Sequence, residues 1–184
     1  LDASLVPSAL PDIRWRCGID LAPLDPTDAD ARRWLEASLP PDRPERLERL
    51  RAALALASRD AARVVAGDAL DALPALAAEA PRGTSLVVAS LGTAVYLPPA
   101  DRERLLTGIR AVGARAVTFE ARSAVPEVRA RWDALVAEGR ADADASFVLA
   151  IDGEPIASGS AHGERLVCVR PRGSHRRRRV PLVG

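Results

Sequence analysis

Six side chains stand where chemistry could be done. Asp20 closes the run IRWRCGIDL, Asp68 follows VVAG, Ser90, Thr93 and Tyr96 follow LVVA, and Glu120 closes RAVTFE. Each follows a short apolar run of strand type. Carboxylates and hydroxyls at the C-terminal ends of parallel strands face the crevice in which open α/β sheets take their ligands. On that ground Ser90, Tyr96 and Glu120 are the candidate catalytic residues, and Asp20 and Asp68 the candidate ligand-holding carboxylates. The plain alternative is local. Asp and Ser accept backbone N–H groups in loops, and Tyr96 has Pro98 and Pro99 nearby to pack under.

Other chemistries lack their residues. His162 and His175 are the two histidines, and neither has a second ligand at metal spacing. Ser90-Leu91-Gly92 is not a nucleophile elbow, which needs glycines on both sides of the serine. Gly67-Asp68 is followed by no Lys, so it is no phosphate loop. Cys17 and Cys168 are too far apart in sequence for a metal knuckle or a redox pair and read as buried, reduced thiols.

The elements that must position these groups alternate along the chain. Strands are expected at Ile13 to Leu21, Arg63 to Ala66, Leu86 to Ala89 and Arg115 to Glu120. Helices are expected from Ala29 to about Leu39, with Trp34 and Leu35 inward, and from Pro44 to Ser58, where Leu47, Leu50 and Leu54 recur at helical spacing. Two more run from Leu70 to Glu79 and from Ala100 to Val112, the latter ended by Gly113. Val128, Trp132, Leu135 and Val136 are spaced for a helix within Arg122 to Ala141. Phe147 to Ile151 and Arg165 to Val169 read as a closing antiparallel pair. Strands separated by helices imply right-handed crossovers and one parallel sheet, with Asp20, Asp68, Ser90 and Glu120 along one edge.

Composition bounds the rest. With 184 residues, the chain suits one domain. Aromatic residues are only 3%, so the core is aliphatic. All 26 basic residues are Arg, as a GC-rich coding sequence would give, so they are no sign of nucleic-acid binding. Residues 170–184 carry six Arg and no acid; the remaining 20 Arg against 25 acids leave a body of about −5, which disfavours a phosphate-binding surface. The tail from Arg170 reads as disordered, with no aromatic interleaved among Arg176 to Arg179. No apolar run approaches the ~18 to 20 residues that span a bilayer, and Leu1 to Leu10 has no basic start, which together predict a cytoplasmic protein without a membrane partner.

Parallel strands finished by a hairpin resemble the layout of methyltransferases that use S-adenosylmethionine. The residues carry a closer resemblance. Trp15-Arg16-x-Gly18-Ile19-Asp20-Leu21-x-Pro23-Leu24-Asp25-x-Thr27-Asp28, then Trp34-Leu35, Val64-Val65-x-Gly67-Asp68 and Tyr96-Leu97-Pro98-Pro99 are similar to the bacterial family known as domain of unknown function 2332, over about Ile13 to Gly163. The resemblance implies a Rossmann-like α/β fold whose first βα unit, with its Gly-rich cofactor turn, lies upstream of Leu1. The expectation is therefore a fragment, residues 1–169 forming a partial domain and 170–184 a tail. The methyltransferase resemblance implies that Asp68 lies near an adenine, Asp20 near a ribose or the substrate, and Ser90, Thr93 and Tyr96 near a transferred methyl. S-adenosylmethionine would serve the complete protein and not this fragment. Ser90 and Phe119 depart from the family, which carries His and Asn at the corresponding places. They favour the alternative, a non-catalytic Rossmann-like module that binds a small ligand or a partner.

Overall fold

The computed structural model describes residues 7–60, 62–163 and 165–171. The chain is a mixed α/β protein whose described residues divide into two compact units, one within Pro11–Thr84 and one made of residues 7–10 and 85–171.

In the N-terminal unit, β1 (Cys17–Asp20) pairs in parallel with β2 (Arg63–Ala66), and Asp20 lies opposite Ala66. The expected strand from Ile13 is cut to four residues because β2 offers only four to pair with. Between them run α1 (Ala29–Ala37) and α2 (Pro44–Ala57), which begins with Pro at its first position, where a missing N–H costs nothing. Asp28 caps α1 by accepting from the Asp30 N–H at 2.7 Å. Arg51 of α2 holds Glu36 of α1 through two N–H groups at 3.1 and 2.8 Å. After β2, α3 (Ala69–Ala78) packs on β1. Trp34, expected inward, is instead 65% exposed, and α1 has no buried residue.

In the C-terminal unit, β3 (Val87–Leu91) crosses through a single 3-10 turn (Ala94–Tyr96) and α4 (Pro99–Ala111) to the parallel strand β4 (Arg115–Ala121). Then α5 (Pro126–Ala137) leads to β5 (Phe147–Ile151), antiparallel to β4. Asp152 and Gly153, at φ 53° and 84°, form a two-residue turn into β6 (Glu154–Gly159). Positive φ at both positions is what a tight hairpin turn demands and what Asp-Gly supplies. The last strand is β7 (Leu166–Cys168). The five-stranded sheet runs β3-β4-β5-β6-β7. Ala116, Thr118 and Glu120 of β4 face inward with Val148 and Ala150 of β5, and Leu105, Leu106 and Ile109 of α4 and Val128 and Trp132 of α5 complete the buried set.

Two expectations are corrected. The four strands ending in Asp20, Asp68, Ser90 and Glu120 do not form one sheet: β1 and β2 make a sheet of their own, and β3 and β4 belong to the five-stranded one. The four residues therefore do not share one sheet edge. Alternating helices and strands specify each crossover locally, whereas which crossover lies beside which is a non-local matter. The closing antiparallel pair is also wrong in its members. β5 pairs with β6, and β6 with β7, so the second half of the expected pair sits one strand further out.

The cysteines are free, as expected, but Cys17 is half-buried and Cys168 exposed. Arg170, at the start of the expected tail, donates its N–H to the Arg140 carbonyl at 3.0 Å and its guanidinium to Gly139 at 3.3 Å, while Arg140 Nε donates back to the Arg170 carbonyl at 2.9 Å. The rest of that tail, with His175 and Arg176 to Arg179, lies outside the described residues.

Candidate functional site

Two of the expected residues meet directly. Ser90 lies beside Thr118 in the β3–β4 register, and its hydroxyl donates to Glu120 Oε1 at 2.7 Å. The same oxygen accepts the backbone N–H of Thr93 at 3.0 Å and of Ala94 at 3.1 Å. Glu120 is only 3% exposed, and Ser90 7%. A carboxyl so deep needs hydrogen-bond donors, because leaving it bare in an apolar interior costs on the order of several kcal/mol. Oε1 has three. Oε2, also in the buried residue, has none among the described residues.

The alternation of β4 explains how an acid reaches this position. Residues at even numbers point inward, so Glu120 is the last inward residue before the strand ends at Ala121, and it falls against the turn that leaves β3. That turn opens at Gly92, whose φ of 75° suits glycine and whose N–H donates to the Phe119 carbonyl at 2.9 Å. The segment from Leu91 to Leu97 is thus moored to the end of β4. Leu91 and Tyr96 face outward, 62% and 86% exposed, whereas Ala94 is buried. Tyr96 lies in the loop that joins β3 to α4, whereas Ser90 and Glu120 stand on β3 and β4, and its ring, almost wholly exposed, is not packed under Pro98-Pro99.

Arg102 is the residue the sequence reading passed over. From the first turn of α4 its Nε donates to the Leu97 carbonyl at 2.9 Å, Nη2 to Val95 at 3.2 Å and Nη1 to Ala124 at 3.4 Å. Within DRERLL it reads as one charge among several on a solvated helix face, and no spacing rule marks it. The only hint is its place shortly after Pro98-Pro99, where a helix must start.

Asp20 and Asp68 belong to the other unit. Asp20 Oδ1 accepts the Ala22 N–H at 2.8 Å, and its backbone carbonyl accepts from Gly67 at 2.9 Å. Asp68 caps α3, its Oδ1 accepting from Leu70 at 2.7 Å. The pair thus closes the ends of β1 and β2 from both sides, through Gly67 at φ 155°. Each carboxylate has one oxygen engaged in a local cap. Among the described residues no group of three or more His, Cys, Asp or Glu is placed to hold a metal ion, and no helix is long and apolar enough to cross a membrane.

No curated protein and no solved structure matches the chain. A family described as an uncharacterised protein conserved in bacteria, domain of unknown function 2332, matches residues 2–173. With the match running over nearly all of its length, the chain belongs to this bacterial family.

Proposed function

We propose that the C-terminal unit is a small-molecule-binding module whose ligand docks on the Leu91–Leu97 loop, at the carboxyl ends of β3 and β4. The observation that carries this reading is the asymmetry of Glu120, one oxygen saturated by three donors and the other buried with no donor among the described residues. A buried acceptor without a partner is rare enough in native proteins to need an explanation. A ligand bearing an amine or hydroxyl supplies the missing donor by displacing the atoms that cover Oε2, and the exposed Tyr96, Leu91 and Val95 supply an apolar surface for a planar body. Ser90 is a positioning residue in this scheme, since its hydroxyl is committed to Glu120 rather than free to attack a substrate.

Adenosine, planar and rich in donors, is a suitable probe. Titrated into the protein, it is expected to shift the amide resonances of Thr93, Ala94 and Tyr96, and to lose that effect in Tyr96→Ala and weaken in Glu120→Gln. Shifts elsewhere, or an unchanged response in both variants, would sink the reading.

A second reading, methyl transfer from S-adenosylmethionine, draws on the β3–α4–β4 crossover and on the carboxylates that end β1 and β2. The described residues do not fit that cofactor. Gly67 is a single glycine before α3 rather than a Gly-rich turn, and both Asp20 and Asp68 have an oxygen occupied by a cap. Calorimetric titration should accordingly show no S-adenosylmethionine binding tighter than about millimolar, since a few hydrogen bonds do not offset the cost of association. Micromolar binding would move the assignment to methyl transfer.

A further inference from the structure

We propose that Arg102 is a second positioning residue for the Leu91–Leu97 loop, acting on its carbonyl groups as Glu120 acts on its amides. This rests on the docking site proposed above and names what keeps it in shape. Glu120 takes the N–H groups of Thr93 and Ala94, and Arg102 gives its own N–H groups to the carbonyls of Val95 and Leu97. Acid and base thus grip consecutive halves of one turn. Neither grips the other, and among the described residues neither has an ion pair.

The third arm of Arg102 reaches the Ala124 carbonyl, in the turn that leaves β4. Its planar fork therefore ties together the loops that follow both parallel strands, a geometry that a single ammonium could not span. Between these arms the turn makes its own bonds, Tyr96 N–H to the Thr93 carbonyl and Leu97 N–H to the Ala94 carbonyl, both at 3.1 Å. The outward placement of Tyr96 follows from this framework rather than from packing of its ring, which is almost wholly in solvent. A loop held this way meets its ligand already ordered, so little ordering cost falls on binding.

Amide hydrogen exchange of the free protein tests the clamp without any ligand. In Arg102→Met the Tyr96 and Leu97 amides are expected to exchange roughly tenfold faster, as loss of a net hydrogen bond or two implies. The β5 and β6 amides should be unchanged. Arg102→Lys should restore only part of the protection. Unchanged exchange at Tyr96 and Leu97 overturns the clamp, and so does acceleration that spreads equally to β5 and β6, which would make Arg102 a general stabiliser. Adenosine affinity, measured alongside, should fall roughly tenfold in Arg102→Met. If adenosine fails to bind the unaltered protein, the docking reading falls while the exchange result still decides the clamp.

Discussion

The two units are built from the same grammar, parallel strands joined through helices, yet they bury very different amounts of apolar surface. Among the described residues, Leu54, Leu73 and Leu76 are the buried apolar side chains of the N-terminal unit, whereas the C-terminal unit buries thirteen, including Trp132 and Ile109 at 1% and 0% exposure. The difference comes from sheet width. A two-stranded parallel sheet offers each helix a narrow face, and such ribbons are marginal on their own. Five strands allow α4 and α5 to cover an inward row that alternates along β4 and β5. In the N-terminal unit, local devices carry more of the order: the Asp28 and Asp68 caps, the Asp25–Thr27 turn and the Arg51–Glu36 pair.

The comparison breaks most readily at Trp132. Its ring is buried and its Nε1 donates to the Asp142 carbonyl at 3.0 Å, so Trp132→Ala should destabilise the C-terminal unit by about 3–5 kcal/mol. Chemical denaturation followed by circular dichroism would measure it, and a loss under about 1 kcal/mol would place the core elsewhere.

A smaller effect separates cap from site at Asp68. Asp68→Ala should cost about 1 kcal/mol, read as faster amide exchange in the first turn of α3, and Asp68→Ser should restore it. Ser can accept the Leu70 N–H as Asp does. If Ser does not restore protection, the charge of Asp68 matters beyond the cap.

The smallest effect concerns pH. The Arg110 guanidinium, at 2.8 Å from both Glu127 oxygens, holds that carboxyl below its usual range; burial opposes this and Arg131 adds to it. A carboxyl whose folded value lies below its unfolded one stabilises the fold above the unfolded value, and that stabilisation is lost as pH falls through the folded value. The melting temperature of the C-terminal unit should therefore drop as pH falls below about 4.5, and Glu127→Gln should flatten that drop. An identical profile in the variant would remove Glu127 from the account. In the N-terminal unit, Glu36 and Asp25 are lowered too, held by Arg51 and by Thr27, but at the open surface, where such partners contribute little.

What could be read in the sequence follows the same division between local and non-local. The helices were legible because leucine spacing and capping residues are local signals: α2 begins at Pro44 and α1 is capped by Asp28, as their residues suggest. The separation into two sheets was not, because strand pairing depends on contacts far apart in sequence. β6 was missed for a different reason. Its residues EPIASG contain Pro155 and Gly159, and a register shift at Leu149/Ala150 breaks the alternation against β5. Asp152-Gly153 was the available signal, since a two-residue turn with both φ positive requires a strand immediately after it. At the candidate site, Ser90 and Glu120 stand out in the sequence by their strand ends, and they are hydrogen-bonded to each other. Arg102 was not, because its partners are carbonyl groups, which every residue carries and no motif records.

The exchange between Arg140 and Arg170 makes polypeptide length a structural quantity. The carbonyls of Gly139 and Arg140, just past the end of α5, are unfilled by the helix itself and receive their donors from a residue thirty positions later. That arrangement works like the return leg of a loop in cord: the stretch that goes out through β5, β6 and β7 must come back with enough slack to reach the helix end. Insertions in the turns along the way add slack and are absorbed. Deletions shorten the cord, and each residue removed takes away at most ~3.3 to 3.6 Å of reach, so a cut of two or three residues there withdraws the cap as surely as replacing Arg170.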